Sequence, residues 1–381
     1  MEECELPGDS LAQGVLDPAD PGAENQRRLK AWLRFQAALC LAPVLARNCL
    51  EASAGQPEAA LARSRRRCPH GGEQIGKWIQ ELAARGIRAL PLTAPAYPPL
   101  LRGLSDPPPL LWVRGEIADL HRPGIAIVGA RAATTYGQGV AEELGAALAA
   151  AGFVVCSGLA RGIDARAHRG ALASGGRTVA VLGCGPDRIY PPEHGELADR
   201  VARAGAVVSE LSPGRPPAAP HFPLRNRLIS GLVQAVVVVE ARPRSGSLIT
   251  ARHALNQGRE VMVVPGPIDS PHAAGSNALL RDGARPVLEP RDVLEAIASP
   301  FGALAATDPP PGPPGEDEGR LHARLLGQSL ARDELAREFG WPAGRLAAAL
   351  MGLEIEGWVE TDRDGGLRAV PARLRALRGG G

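Results

Sequence analysis

The chain has 381 residues, 45% hydrophobic and 22% charged; at ~100 to 200 residues per domain this gives two or three domains with enough apolar surface to fold, which excludes a mini-protein and global disorder. Net charge is only +2, but residues 1–26 carry seven acids and no Lys or Arg, leaving the remainder with 43 basic against 34 acidic residues, a balance of +9 that permits a polyanionic partner. No apolar run approaches the ~18 residues of a bilayer span, the acidic start lacks the segments of a signal peptide, and six cysteines show no CxxC pair or zinc-type spacing, so a cytoplasmic protein with no membrane contact, metal site or disulfide framework is expected.

Residues 1–23 are rich in Pro, Gly and Asp without periodicity and read as a disordered tail. Over residues 24–90 the pattern turns helical. Leu29, Trp32, Leu33, Phe35 and Leu39 recur in one stretch and Ile75, Trp78, Ile79 and Leu82 in another, which predicts a small N-terminal helical domain. Prolines crowd Thr93 to Glu116 among packable Leu and Trp, so residues 91–120 are expected as an extended connector.

Six short Val/Ile-rich runs follow, starting at Ile125, Phe153, Thr178, Ala206, Ala235 and Glu260, 25 to 29 residues apart. That interval holds a strand, a loop, a helix and a return, and near-continuous apolar strands require a sheet covered on both faces. The fold class is α/β: a Rossmann-like, doubly wound, mostly parallel sheet over residues 121–298. The interval from Thr178 to Ala206 carries the weakest helical pattern and reads as loopier. Residues 299–319, with five prolines in Pro309 to Pro314 and then acids, read as a stiff solvated linker. Residues 320–381 show helices around Leu321, Arg332 to Phe339 and Pro342 to Glu356, then two short strands around Asp-Gly-Gly, the outline of a C-terminal winged helix. Ten arginines there oppose eight acids, so its presumed recognition helix (Arg345, Leu346, Leu350) is not strongly basic.

Three Gly- and hydroxyl-rich segments sit between a predicted strand and the next helix: Gly129 to Gly139 with Arg131, Ser157 to Asp164 with Gly158, Arg161 and Gly162, and Arg244 to Thr250 with Ser245, Gly246 and Ser247. In a parallel sheet such loops leave one edge, so three helix N-termini with unpaired N–H groups converge into an anion site, whereas glycines alone would only permit tight turns. None is a GxGxxG or GxxxxGK[ST] loop, which argues against NAD, ATP or any other cofactor. Arg225, Asn226 and Arg227, ahead of a helix expected from Leu228, offer planar donors for phosphate oxygens. Ser157, Asp164, His168, Glu240 and Asp269 are of types used in hydrolases, but Asp164 and His168 one turn apart can pair or cap a helix, and no GxSxG elbow or two-metal carboxylate cluster accompanies them. The run Arg63 to Arg67 reads as a solvated face. Catalysis is not expected.

These segments resemble the DprA/Smf family of DNA-processing proteins. The resemblance rests on VGAR (Val128 to Arg131), SGLARGIDARAH (Ser157 to His168), LGCGPDRIYPPEH (Leu182 to His194), SELSPG (Ser209 to Gly214), FPLRNRLISGL (Phe222 to Leu232), VVVVEARPRSGSLITARHAL (Val236 to Leu255) and VPGPIDSPHAAGSNALLRDGA (Val264 to Ala284), in family order from about Ala96 to Val287. The N-terminal helices (sterile-alpha-motif or helix-hairpin-helix-like) and the winged helix match in architecture more than in residues. The resemblance implies a non-enzyme that binds incoming single-stranded DNA, dimerises through its α/β domain and loads the RecA recombinase during natural transformation, helping it displace single-strand binding protein. It implies a phosphate pocket of Gly129, Arg131, Ser157, Gly158, Gly162, Arg225, Asn226, Arg227, Ser245, Gly246, Ser247 and Thr250. Family members often carry Asn where His194 stands and a basic residue where Pro192 stands. Two other readings compete: a phosphoribohydrolase of the lysine-decarboxylase-like group, whose PGGxGTxxE loop is absent here, and a transcription regulator acting through the winged helix.

Overall fold

In a computed structural model, which describes residues 14–298, 315–325, 330–356, 358–361 and 366–369, the apolar stripes of the first segment close on one another across four helices. These are α1 (Ala23–Leu39), α2 (Pro43–Glu51), α3 (Pro57–Arg63) and α4 (Gly72–Ala84), and Leu29, Trp32, Phe35, Ile75 and Leu82 share one core. Residues 1–13 of the expected tail lie outside the described residues, and from Leu16 onward the expectation of disorder fails. Leu16 is 1% exposed and forms an antiparallel bridge with Ala89, because a leucine that fills the helical core outweighs the Pro- and Asp-rich composition around it.

The segment read as the end of the helical domain and a connector contains two strands, β1 (Ile87–Pro91) and β2 (Leu110–Gly115), separated by a short helix α5 (Pro99–Arg102). Along β2 the side chains alternate, Leu110 and Trp112 toward the N-terminal helices, Leu111 and Val113 toward the main core. Both faces are covered, so no polar alternation marked the strand. Gln36 of α1 accepts from Trp112 Nε1 at 2.9 Å and donates to the Glu210 carbonyl at 2.8 Å, which ties the helices to the sheet.

All six predicted apolar runs are parallel strands: β3 (Gly124–Val128), β4 (Val154–Ser157), β5 (Thr178–Val181), β6 (Ala206–Ser209), β7 (Ala235–Val238) and β8 (Glu260–Val263), followed by a two-residue β9 (Arg285–Pro286). The intervening helices are α6 (Thr135–Ala150), α7 (Ile163–Ala173), α8 (Gly195–Ala204), α9 (His221–Gly231), α10 (Gly246–Asn256) and α11 (Ala274–Arg281), and α12 (Pro290–Ala298) follows β9. The stretch expected to be loopy thus holds α8, whose buried face is only Leu197, Ala198 and Val201. The nine strands run β1-β2-β6-β5-β4-β3-β7-β8-β9, with β1 and β2 antiparallel. No helix among the described residues is long and apolar enough to cross a membrane.

The chain divides into two compact units, Met1–Val293 and Leu294–Gly381. Most of the expected linker, residues 299–314, lies outside the described residues, and residues 316–319 already belong to α13 (Glu316–Leu325). With α14 (Arg332–Phe339), α15 (Ala343–Ile355), β10 (Val359–Thr361) and β11 (Leu367–Ala369), it forms the winged helix, built on Leu321, Leu335, Leu350 and Trp358. Leu346 and Leu350 of α15 face this core, and Arg345 pairs with Asp317 at 2.7 Å. Leu16→Ala is expected to cost about 2–5 kcal/mol in urea unfolding, as for any deleted core leucine; a tail residue would leave the midpoint unmoved.

Candidate nucleic-acid interface

The order of strands reverses at β3. From β3 the chain steps outward through β4, β5 and β6, then returns to pair β7 with the opposite side of β3. Loops leaving the carboxyl ends of strands at such a reversal part to opposite faces and leave a crevice between them. Here the loops after β3, β4 and β7 lead into α6, α7 and α10, so three helix N-termini meet at this edge.

Local chemistry fixes each N-terminus. Thr134 caps α6 by accepting from Gly137 N at 3.1 Å, and its own N–H and hydroxyl donate to Glu240 at the end of β7, at 2.9 and 2.5 Å. Ser245 caps α10, accepting from Ser247 N at 3.3 Å and contacting Ser247 Oγ at 2.7 Å. Gly162 precedes α7 with φ +73°, and a Cβ there would collide with the Ala130 carbonyl, so only glycine turns the chain at this point. Asp164 folds back to accept from Gly158 N and Ala160 N at 3.1 and 3.4 Å. Burial raises its carboxyl above the usual range, opposed by Arg225 and those two N–H groups.

Between these loops and α9 lies a crevice of about 210 Å³. Gly129, Arg131, Arg225, Asn226, Ser245, Gly246, Ser247 and Thr250 line it, together with Asp164 and Phe222. Arg131 is exposed, lies over the Phe222 ring at 4.9 Å, and has no acceptor among the described residues. Arg225 is buried beneath it. Its Nη1 donates to the carbonyls of Gly158, at 2.7 Å, and Val181, and its Nε donates to Asn226 Oδ1 at 3.1 Å, leaving Nη2 without an acceptor among the described residues. Burial lowers its pKa, with Asp164 opposing the shift. Asn226 in turn donates to the Gly246 carbonyl at 3.1 Å, which joins α9 to α10.

Four of the twelve expected residues stand elsewhere. Ser157 is fully buried and donates to the Ile127 carbonyl at 2.7 Å, a bond that crosses from β4 to β3. Gly158 is a site of close approach, since a Cβ would strike the Arg225 guanidinium, and Gly162 serves the turn described above. Arg227 is turned away from the crevice. The sequence reading put Arg225 to Arg227 before a helix, but α9 already begins at His221, and at ~100° per residue two positions apart on a helix point to nearly opposite sides. Arg227 therefore reaches Asp106 at 3.2 Å and buried Glu210. Phe222 joins the crevice beyond the twelve expected residues. It lies one turn before Arg225, and that i, i+3 spacing was the available signal for a shared face.

The hydrolase-type residues are all engaged or apart. His168 bonds Thr178 Oγ1 at 2.7 Å rather than Asp164, and burial drives its pKa down to about 3, so its ring is neutral. Asp269 is exposed on the loop after β8. Among the described residues, no three His, Cys, Asp or Glu side chains cluster to hold a metal.

The chain is thus of the doubly wound α/β class, with a crevice ringed by helix N-termini at its strand reversal and a winged helix in its second unit. The family model of DNA recombination-mediator protein A matches residues 88–298, and that of the DprA winged helix domain matches residues 305–365. The chain belongs to the DNA recombination-mediator protein A family, DprA/Smf. It is 41% identical over 279 residues to Protein Smf of Escherichia coli, covering 71% of this chain and 74% of that one. To the DNA processing protein DprA of Bacillus subtilis it is 41% identical over 214 residues, 56% and 72% of the two chains. The solved structure of DprA from Streptococcus pneumoniae is similar with a TM-score of 0.59 and 33% identity, over 71% of this chain and 96% of that one.

The ion cluster behind α9 has a pH signature. Burial pushes the Glu210 carboxyl up to about 7, with Arg227 opposing and Asp106 adding to the rise. Between pH 4.5 and 7 the unfolded chain loses this proton while the native state keeps it, so the group's contribution to stability falls as pH rises. Glu210→Gln is expected to remove a decline on the order of 3 kcal/mol over that window. Urea midpoints across the window check this, and an unaltered pH slope contradicts it.

Proposed function

We propose that the crevice holds the sugar-phosphate backbone of single-stranded DNA and that the protein delivers the strand to the RecA recombinase. The observation that carries the binding reading is the pair of guanidinium groups lining one crevice, Arg131 exposed and Arg225 buried, with Arg131 and Arg225 Nη2 lacking acceptors among the described residues, both beside helix N-termini with N–H groups to offer. Donors set against phosphate carry no sequence information, so affinity is sequence-tolerant and falls with salt. Phe222 and Tyr190, 5.6 Å apart, add a small aromatic surface at the same opening. RecA loading during natural transformation, relief of single-strand binding protein and homodimer formation through the α/β unit rest on family membership.

Binding without catalysis is the reading that the side chains favour. Ser157 Oγ is committed to a carbonyl, His168 is neutral and enclosed, and Glu240 holds the α6 cap, so these three do not form a nucleophile with its general base. The phosphoribohydrolase alternative predicts release of free base from nucleoside monophosphates. None is expected.

Fluorescence anisotropy with a labelled oligothymidylate tests the site. Arg131→Ala should weaken binding about tenfold, with a salt slope shallower by about 0.7 and an unchanged urea midpoint. Arg225→Ala should lose both affinity and stability, because its guanidinium also closes the ends of β4 and β5, whereas Ser157→Ala should leave affinity within twofold. Wild-type affinity in Arg131→Ala overturns the proposal.

A further inference from the structure

A second groove of about 440 Å³ opens farther along the same edge of the sheet. One wall is a single stripe of α4 and the residue that ends it, Gln74, Trp78, Glu81 and Arg85, spaced four, three and four residues apart; the other is Asp187 and Arg188 from the loop after β5. The loop after β6 completes it at Gly214, whose N–H donates to Asp187 Oδ1 at 2.8 Å and so locks the two loops together. Both loops leave carboxyl ends of parallel strands, as the crevice loops do. Two contacts lead from the crevice toward the groove, Arg131 over Phe222 and Phe222 against Tyr190, and Tyr190 stands in the same loop as Arg188, two residues on. At ~4.8 Å between strands, β3 and β6 are roughly 15 Å apart, a few nucleotides of strand.

We infer that single-stranded DNA leaving the crevice continues through this groove, with Arg85, Arg188 and the indole N–H of Trp78 as donors to its backbone. The inference rests on the reading of the crevice as a single-strand site. Three observations favour a polyanion here. Trp78 is buried except for 4% of its surface, and its Nε1–H, which has no acceptor among the described residues and is not one of their buried unpaired donors, is left at the groove to meet one. Asp187 is spent on Gly214 N–H and on Arg188 at 3.5 Å, and its side chain is only 11% exposed, which leaves Glu81 as the open acid among the described lining residues. Exposed Arg65, Arg66 and Arg67 precede the start of α4, where the His70 ring packs on Trp78 at a centroid distance of 4.6 Å, and they add positive charge to a groove whose own two arginines and two acids balance.

Strand length separates the two sites. An oligothymidylate of about 5 nucleotides fills the crevice, and one of about 20 reaches the groove. In anisotropy titrations the R85A/R188A double variant should bind the short strand as the unaltered protein does. It should bind the long strand about tenfold more weakly, with a salt slope shallower by about 1.4. Trp78→Phe, which keeps the ring against His70 but loses the N–H, should weaken long-strand binding alone, and Glu81→Gln should tighten it. Unchanged long-strand affinity and salt slope in R85A/R188A, with short-strand binding intact, overturn the groove. Failure of the unaltered protein to bind the short strand overturns the crevice reading, and the groove falls with it.

Discussion

The guanidinium of Arg225 is the constraint on which the rest of the edge depends. Buried among carbonyls at the ends of β4 and β5, it must give its protons to Gly158 and Val181, and in doing so it pulls α9 onto the sheet. Once α9 is set, Asn226 reaches α10 and Phe222 meets Arg131. A buried arginine left without acceptors would be costly, so the folded state holds these strand ends and the helix in one arrangement. The remaining N–H of the same group then faces the opening with its orientation already fixed, and little side-chain entropy is left to lose when an anion arrives.

Helix α9 divides its arginines between two tasks. Arg225 serves the crevice side, while Arg227 satisfies Asp106 and Glu210 behind it. The second cluster lies where the N-terminal helices meet the sheet, since the Glu210 carbonyl also accepts from Gln36 of α1. One helix thus couples the packing of the helical layer to the geometry of the crevice.

Much of this was legible in the sequence. The six Val/Ile runs became six strands because each is buried on both faces and has no competing pattern, and their spacing required helices between them. The convergence of the loops after β3, β4 and β7 followed from parallel pairing alone. What was not legible depended on tertiary partners. β1 and β2 hide among prolines, and only the helices packed on Trp112 make a strand of that segment. Ser157 and Arg227 have the chemistry of phosphate ligands, but the carbonyl of Ile127 and the carboxylates of Asp106 and Glu210 claim them first. Residue type announced capability, and the neighbours decided its use.

The bridge from Leu16 to Ala89 has a further consequence. Nine hydrogen-bonded strands end on one side at β1, and an unprotected outer strand there would offer its N–H and C=O groups to any extended chain in solution. Leu16 occupies that position from within the same polypeptide: its N–H donates to the Ala89 carbonyl at 2.9 Å and Ala89 N donates back at 2.8 Å, with the leucine side chain sunk into the helical layer. Leu16 therefore acts as a selvedge at the middle of that strand, taking up the N–H and C=O of Ala89 that an extended chain would otherwise reach.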